Sequence, residues 1–136
     1  MPTTDLKQLA RDFFDQVWNQ GDEEAIVRMV ASDVRGNDED FGTSRDDFVE
    51  QWRSWRAAFP DIHFEIADLV TEGDTVVTRW VLTGTHTGPF LGLEPTGRRV
   101  RVNGMSLDKF DNGILVQGFD GWDAVGLRRQ LGMEIV

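Results

Sequence analysis

The sequence has 136 residues, with 24 acidic and 14 basic residues and a formal net charge of −10 at pH 7. A chain of this length is typical of one domain, and we expect a single domain over residues 1–136. It contains no cysteine and only two histidines, which excludes a thiolate site and disfavours a histidine-rich metal centre. The acidic balance argues against nucleic acid or an anionic membrane as partner, because both require a basic surface.

Hydrophobic residues account for 40% of the sequence, but they form no run long enough to span a bilayer. Residues 1–20 are amphipathic and include acidic side chains, unlike a secretory signal. We therefore expect a cytoplasmic protein.

The first half of the sequence has the spacing of amphipathic helices. Apolar residues between Leu6 and Trp18 recur at three- and four-residue intervals, which predicts a helix with Thr4 as its N-cap and Gly21 as its end. A shorter helix is expected after Asp22, with apolar residues at the same spacing.

A charged segment separates these helices from a third one. Residues 34–42 carry four charges and two glycines, which predicts a loop or a short irregular strand. The third helix is expected from about Ser44 to Ala58, because Ser44 and Asp47 stand at capping-box spacing and Pro60 cannot continue a helix.

From His63 onward the hydrophobic period falls to two, which is typical of strands. Asp111-Asn112-Gly113 is the strongest turn signal, because Asn-Gly supplies the positive φ angles of a tight hairpin. Residues 87–97 predict a structured loop that is long enough to lie over a site. We predict strands at residues 63–71, 75–86, 98–110 and 114–123, and a final short helix at about 124–131.

Helices in the first half and strands in the second predict the α+β fold class. We expect three N-terminal helices packed on a curved antiparallel or mixed sheet, which together form a cone-shaped α+β barrel. The apolar interior of such a cone would leave a cavity for a small hydrophobic organic ligand.

Several short motifs occur in a specific order over nearly the whole chain. They are Phe59-Pro60-Asp61, Glu72-Gly73-Asp74, Arg79-Trp80, Gly84-Thr85-His86-Thr87-Gly88, Pro95-Thr96-Gly97-Arg98 and Gln130-Leu131-Gly132. By these motifs the sequence resembles the SnoaL-like polyketide cyclase family of the nuclear transport factor 2-like superfamily. The resemblance implies the cone fold, cofactor-free acid–base catalysis on a polyketide-like carbonyl compound, and a homodimer formed through the sheet faces. The fold alone does not determine the reaction, since it also supports isomerases, epoxide hydrolases and non-catalytic binding modules.

The end of the last predicted strand carries two candidate bases, Asp120 and Asp123, on either side of Trp122. A carboxylate against an indole in a poorly hydrated pocket has a raised pKa, as a general base requires. Strand alternation places Asp120 with Trp122 and Asp123 with Phe119, so only one aspartate should face the cone. The resemblance implies an aspartate of this segment as the acid–base group, with Asp123 the closer match and Asp120 the second.

Three further polar residues are candidates for the same site. Asp108 alternates with apolar residues on its strand and either orients the substrate or lies at the surface near the hairpin. His86 lies between glycines and either donates a proton to an enolate or supports the following loop. Asn37 stands where many relatives carry a histidine, and it can orient a carbonyl but cannot transfer a proton.

The aromatic content and the last strand suggest further substrate-binding residues. Relatives often carry Glu-His-Trp where this chain reads Gln117-Gly118-Phe119, and the glycine leaves space for a bulky ligand. We expect the residues that bind the substrate to include Trp52, Phe90, Met105, Gln117 and Phe119.

Arg79 bears on one alternative reaction, epoxide hydrolysis. The limonene-type epoxide hydrolases of this superfamily use an Arg and an Asp two residues apart, whereas Val81 stands two residues after Arg79 here. We therefore disfavour epoxide hydrolysis and expect Arg79 to pair with a carboxylate on an adjoining strand.

These residues define three functional hypotheses. In the first, Asp123 or Asp120 removes an acidic C–H proton, and the enolate closes a ring by aldol addition. His86 or Asn37 then hydrogen-bonds the oxygen on which charge develops. In the second hypothesis, the domain binds an apolar small molecule without converting it. In the third, the same aspartate serves an isomerase or a dehydratase that acts on another small molecule.

Overall fold

The computed structural model describes residues 5–36 and 42–133 of the chain, which form helices and a single sheet. The elements are α1 (Leu6–Phe13), α2 (Glu23–Met29), β1 (Val30–Gly36), α3 (Arg45–Ala58), β2 (His63–Glu72), β3 (Thr75–Thr85), β4 (Arg99–Asp111), β5 (Ile114–Trp122) and α4 (Ala124–Gln130). Helix α1 continues into a π-helical turn at Phe14–Asn19. Among these helices none has both the length and the hydropathy to cross a membrane.

Side-chain caps set the starts of the helices. The carboxylate of Asp5 accepts hydrogen bonds from the backbone N–H groups of Lys7 and Gln8 at 3.0 and 3.2 Å, so Asp5 is the N-cap of α1. The predicted cap, Thr4, lies outside the described residues. At α3, the Ser44 hydroxyl accepts from the backbone N–H of residue 47 at 3.1 Å, which confirms the predicted start of this helix.

The five strands form a mixed sheet in the order β1-β5-β4-β3-β2. Strand β1 runs parallel to β5, and all other neighbours are antiparallel. The segment expected to be a loop or a short irregular strand therefore begins as the end of β1, whose register is irregular between Val30 and Arg35. Asn112 and Gly113 have φ angles of 50° and 79°, which confirms the predicted hairpin.

Aromatic side chains fill the space between the helices and the inner face of the sheet. Phe14 and Phe64 have ring centroids 5.4 Å apart, and Phe64 meets Trp80 at 4.9 Å. The Trp80 indole lies across Gly104 of the neighbouring strand, where a Cβ would come within 2.3 Å of the ring. Glycine at this position therefore makes room for the indole.

Two carboxamide side chains bind the backbone at free edges of strands. The Asn19 amide donates to the Phe64 carbonyl at 3.0 Å and accepts from the Phe64 N–H at 2.7 Å. The Gln130 amide makes the same pair of bonds with Arg101, at 2.9 and 2.7 Å. Each amide thereby takes the place of a missing neighbouring strand, and the second attaches α4 to β4.

The loop after β3 is attached to the end of α3. The backbone N–H groups of Thr87 and Gly88 donate to the Ala58 carbonyl at 3.0 and 3.1 Å. A Cβ at Gly88 would lie 2.1 Å from the carbonyl oxygen of Ala57, which is backbone and cannot move cheaply. Glycine is therefore required where the loop crosses the helix.

We expect Gly88→Ala to lower the free energy of unfolding by about 1–3 kcal/mol, because the added methyl group forces α3 and the loop apart. Gly121→Ala is the matched control, since a Cβ at Gly121 meets nothing within 4 Å. Urea unfolding of the two variants and the wild type measures the difference. Equal midpoints for the two variants would contradict the close packing of the loop on α3.

Candidate active site

A small cavity of about 70 Å³ lies between the inner face of the sheet and helices α1 and α3. Most of its wall is aromatic or aliphatic, and its polar side chains converge from β4, β5 and α3. Among the described residues the polar ones are Gln51, Ser106, Asp108 and Asp120, and the apolar ones include Phe14, Trp18, Phe48, Phe64, Trp80 and Leu82.

A larger cleft of about 500 Å³ lies outside this cavity, with Ser54, Phe90, Leu91 and Arg128 on its walls. The cleft and the cavity share four residues, which therefore form the boundary between them. These are Gln51, Trp55, Asp120 and Trp122. The cleft has the size of an ordinary small-molecule site, whereas the cavity is about half the volume of the roughly 150 Å³ void known to accommodate benzene.

The carboxylate of Asp120 is oriented by a hydrogen-bonded chain. Ser106 Oγ donates to Asp120 Oδ1 at 2.5 Å, and Trp80 Nε1 donates to Ser106 Oγ at 2.9 Å. An indole N–H can only donate, so the serine hydroxyl directs its own proton to the carboxylate. Asp120 is thereby held as an acceptor at the boundary of the two compartments.

Asp108 lies on the same face of β4 as Ser106 and is almost completely buried, with 4% of its surface exposed. Burial raises the pKa of the Asp108 carboxyl well above its usual value, and the negative charge of Asp120 raises it further. No hydrogen bond to the Asp108 side chain is present within residues 5–36 and 42–133. Asp108 therefore lines the cavity as a carboxyl whose neutral form is favoured by burial, and in that form it can donate to a ligand.

A β-bulge selects Asp120 rather than Asp123 for the inner face. The register of β5 against β4 shifts by one residue at Val116, and beyond the shift Ser106 lies opposite Asp120. If β5 continued from the hairpin without the bulge, Asp123 rather than Asp120 would lie on the inner face. In the structure the exposed Asp123 instead caps α4 and accepts from the Gly126 N–H at 2.8 Å.

His86 lies close to the site but lines neither compartment. Its side chain is fully buried, and Nδ1 accepts from the Thr96 N–H at 3.2 Å. Its ring also packs against Phe59 at 5.5 Å. His86 is thus hydrogen-bonded to the loop over residues 87–97.

The remaining expected residues are distributed among several places. The indole of Trp52 donates to the Val17 carbonyl at 2.8 Å, so this buried residue joins α3 to the π-helical turn. Phe90 lines the outer cleft. Asn37 lies outside the described residues.

The outer face of the sheet carries three of the expected residues. Met105 and Phe119 are exposed over 49% and 45% of their surfaces and do not line the cavity, because alternation turns them away from it. Gln117 has the same parity as Phe119 and is half-buried. Arg79 forms an ion pair with Asp68 at 2.6 Å, which confirms the predicted partner on an adjoining strand.

Sequence reasoning missed Gln51, Trp55, Ser106 and Arg128 as site residues. Only Ser106 had a usable signal, since it precedes Asp108 by two residues and shares its face. The other three come from α3 and α4, and their meeting with β5 depends on how the helices pack. Such packing is a long-range property that the spacing within one helix does not reveal.

The chain belongs to the SnoaL-like polyketide cyclase family, whose sequence profile matches residues 8–131. Among solved structures it is similar to TsrD from Streptomyces laurentii, with 28% identity over 98% of this chain and 99% of that one, and a TM-score of 0.86. It is also similar to AclR from Streptomyces galilaeus, described as a candidate hydroxylase, with 30% identity, coverage of 96% and 86%, and a TM-score of 0.85.

A third similar structure is IdmH from Streptomyces antibioticus, described as a candidate polyketide cyclase. It shares 28% identity over 93% of this chain and 98% of that one, with a TM-score of 0.82. No curated protein matches the chain. The similar structures thus have the α+β cone fold expected from the sequence. The reactions named in their descriptions differ, since one description names a hydroxylase and another a polyketide cyclase.

The geometry predicts a coupled titration at the two carboxylates. We expect the pKa of Asp108 to lie above the usual value of about 3.9, and to fall in Asp120→Asn while remaining raised, because burial is the larger cause. Carboxyl carbon chemical shifts followed by NMR against pH measure this directly. Asp123→Asn is the control, since asparagine also caps helices and should leave the Asp108 pKa unchanged. An ordinary Asp108 pKa in the wild type would show that its carboxyl is hydrated.

Proposed function

We propose that this protein closes a ring in a hydrophobic, polyketide-like carbonyl compound by acid–base catalysis of an aldol addition. The observation that carries the proposal is the position of Asp120, which lies at the boundary of cavity and cleft near the buried Asp108 carboxyl, whose pKa is raised. A carboxylate acceptor and a carboxyl donor on one apolar surface suit the formation of an enolate.

The volumes of the two compartments support one orientation of the substrate. A cavity of about 70 Å³ is too small for an aromatic ring system, so only a short carbonyl-bearing group would enter it. The ring system would occupy the cleft of about 500 Å³, against Trp55, Phe90 and Trp122. In this orientation the acidic C–H lies at the boundary, next to Asp120.

The proposed reaction uses only proton transfers and one new carbon–carbon bond. Asp120 takes the proton from a carbon between two carbonyl groups, and the enolate oxygen accepts a hydrogen bond from the Asp108 carboxyl. The nucleophilic carbon then attacks a second carbonyl carbon of the same molecule, whose π electrons move to its oxygen. The protonated Asp120 returns its proton to that alkoxide, which restores the carboxylate. Asp108 takes the role that the sequence suggested for His86 or Asn37.

We expect Asp120→Asn to reduce turnover by about 10²–10⁴-fold, the usual contribution of a general base. Asp123→Asn should retain turnover, because Asp123 lies outside both compartments. The assay substrate is an aromatic ester with a 1,3-dicarbonyl side chain. Chromatography and mass spectrometry measure the ring closure. Near-ultraviolet circular dichroism checks that both variants keep the wild-type packing.

The alternatives predict different results in the same assay. Recovery of the bound compound unchanged from the wild type would favour a non-catalytic binding domain. Loss of water or migration of a double bond without ring closure would favour a dehydratase or an isomerase that uses Asp120. Loss of turnover in Asp123→Asn alone would contradict the assignment of the base.

We further propose that the protein forms a homodimer through the outer face of the sheet. Met105, Leu107 and Phe119 are exposed there over 49%, 37% and 45% of their surfaces, and Leu107 lies directly opposite Phe119. A contiguous apolar patch on a charged surface is typical of a protein interface.

We expect Phe119→Glu to shift the protein from dimer to monomer, because a carboxylate in the patch would be buried without a partner. Sedimentation velocity at micromolar concentration distinguishes the two states. Val27→Glu is the control. Val27 is also an apolar residue, with 60% of its surface exposed, but it lies on α2 and not on the sheet. A wild-type monomer at these concentrations would exclude the dimer.

A further inference from the structure

The outer cleft contains a cation, Arg128, that has no counter-ion among the described residues. Arg128 of α4 is exposed and lines the cleft, and it makes no ion pair with any residue of the described ranges. Three other arginines of the protein are paired with carboxylates within 3.2 Å. The sequence as a whole carries a formal charge of −10, so this guanidinium is a local positive charge on a ligand cleft of an acidic protein.

Polar groups of α3 lie on the same cleft as this cation. Gln51 and Ser54 stand three residues apart, on one face of the helix, and both line the cleft. An amide and a hydroxyl can each donate to an oxyanion, and a guanidinium binds carboxylate and phosphate oxygens with two parallel N–H donors. The three side chains therefore offer the donors that an anionic group requires.

We infer that Arg128, with Gln51 and Ser54, forms a subsite for an anionic group, a carboxylate or a phosphate, at the outer end of the substrate. The inference deepens the proposed function and rests on it for the orientation of the ligand. The apolar, carbonyl-bearing end would lie at Asp120, and the charged end would lie toward solvent in the cleft. The substrate class is thus an aromatic carbonyl compound that carries an anionic group at its outer end.

Binding of matched aromatic probes tests the subsite without knowledge of the substrate. The probes are 2-naphthoate, its neutral methyl ester and 2-naphthyl phosphate, which share the same ring. Isothermal titration calorimetry gives their dissociation constants for the wild type. The two anions together distinguish a carboxylate subsite from a phosphate subsite, and the ester measures the contribution of the ring alone.

We expect the wild type to bind at least one of the anions about tenfold more tightly than the ester, as a charge-assisted contact in a cleft allows. Without a local cation the negative charge of the protein would favour the neutral ester instead. Arg128→Gln should therefore abolish or reverse the preference. The matched control is Arg129→Gln, which removes the same charge from the neighbouring position of α4 but does not line the cleft. Raising the ionic strength should weaken the preference in the wild type.

Several results would overturn the subsite. They are equal binding of acid, phosphate and ester by the wild type, absence of binding of all three, and a preference that survives in Arg128→Gln. If Arg129→Gln lost the preference for anions to the same extent, the preference would result from net charge rather than from a site. Asp120→Asn separates this test from that of the proposed function, because it should remove turnover while keeping the preference for anions.

Discussion

One extra residue in β5 determines which polar groups enter the apolar interior of the protein. Side chains alternate between the faces of a sheet, so a shift of one residue exchanges all inward and outward positions beyond it. The β-bulge at Val116 makes this shift between the hairpin and the end of β5. Asp120 and Trp122 consequently face the cavity, and Phe119 faces outward. The site therefore depends on a backbone irregularity as much as on its side chains.

Two carboxyl groups on an apolar surface oppose folding unless their charges are compensated or removed. The structure does both, since Asp120 accepts from Ser106, while burial raises the pKa of Asp108 and so favours its neutral form. Ser106 is itself held by the Trp80 indole. The pair thus consists of one acceptor and one donor, with different properties that result from their surroundings. Residues that conflict with a purely apolar core are expected at functional sites.

Local patterns were sufficient to predict most elements, whereas pairing between elements decided the site. A helix cap such as Ser44 depends only on nearby residues, and so does a tight hairpin. Alternation alone separates Asp108 from Met105, since residues three apart on a regular strand lie on opposite faces. The two residues therefore belong on opposite faces, and in the structure Met105 lies on the outer one. The hydrogen bond from Thr96 to His86 depends on the conformation of a loop, which the hydrophobic periodicity of the sequence does not predict.

The carboxamides of Asn19 and Gln130 have a consequence for how the protein behaves among its own copies. A strand edge with unpaired N–H and carbonyl groups can add a strand from another chain, which leads to aggregation. Asn19 occupies both groups of Phe64 on the edge strand β2, and Gln130 occupies those of Arg101 where β5 has already ended. A side chain of the same molecule thus blocks each of these two positions against the addition of a strand from another copy.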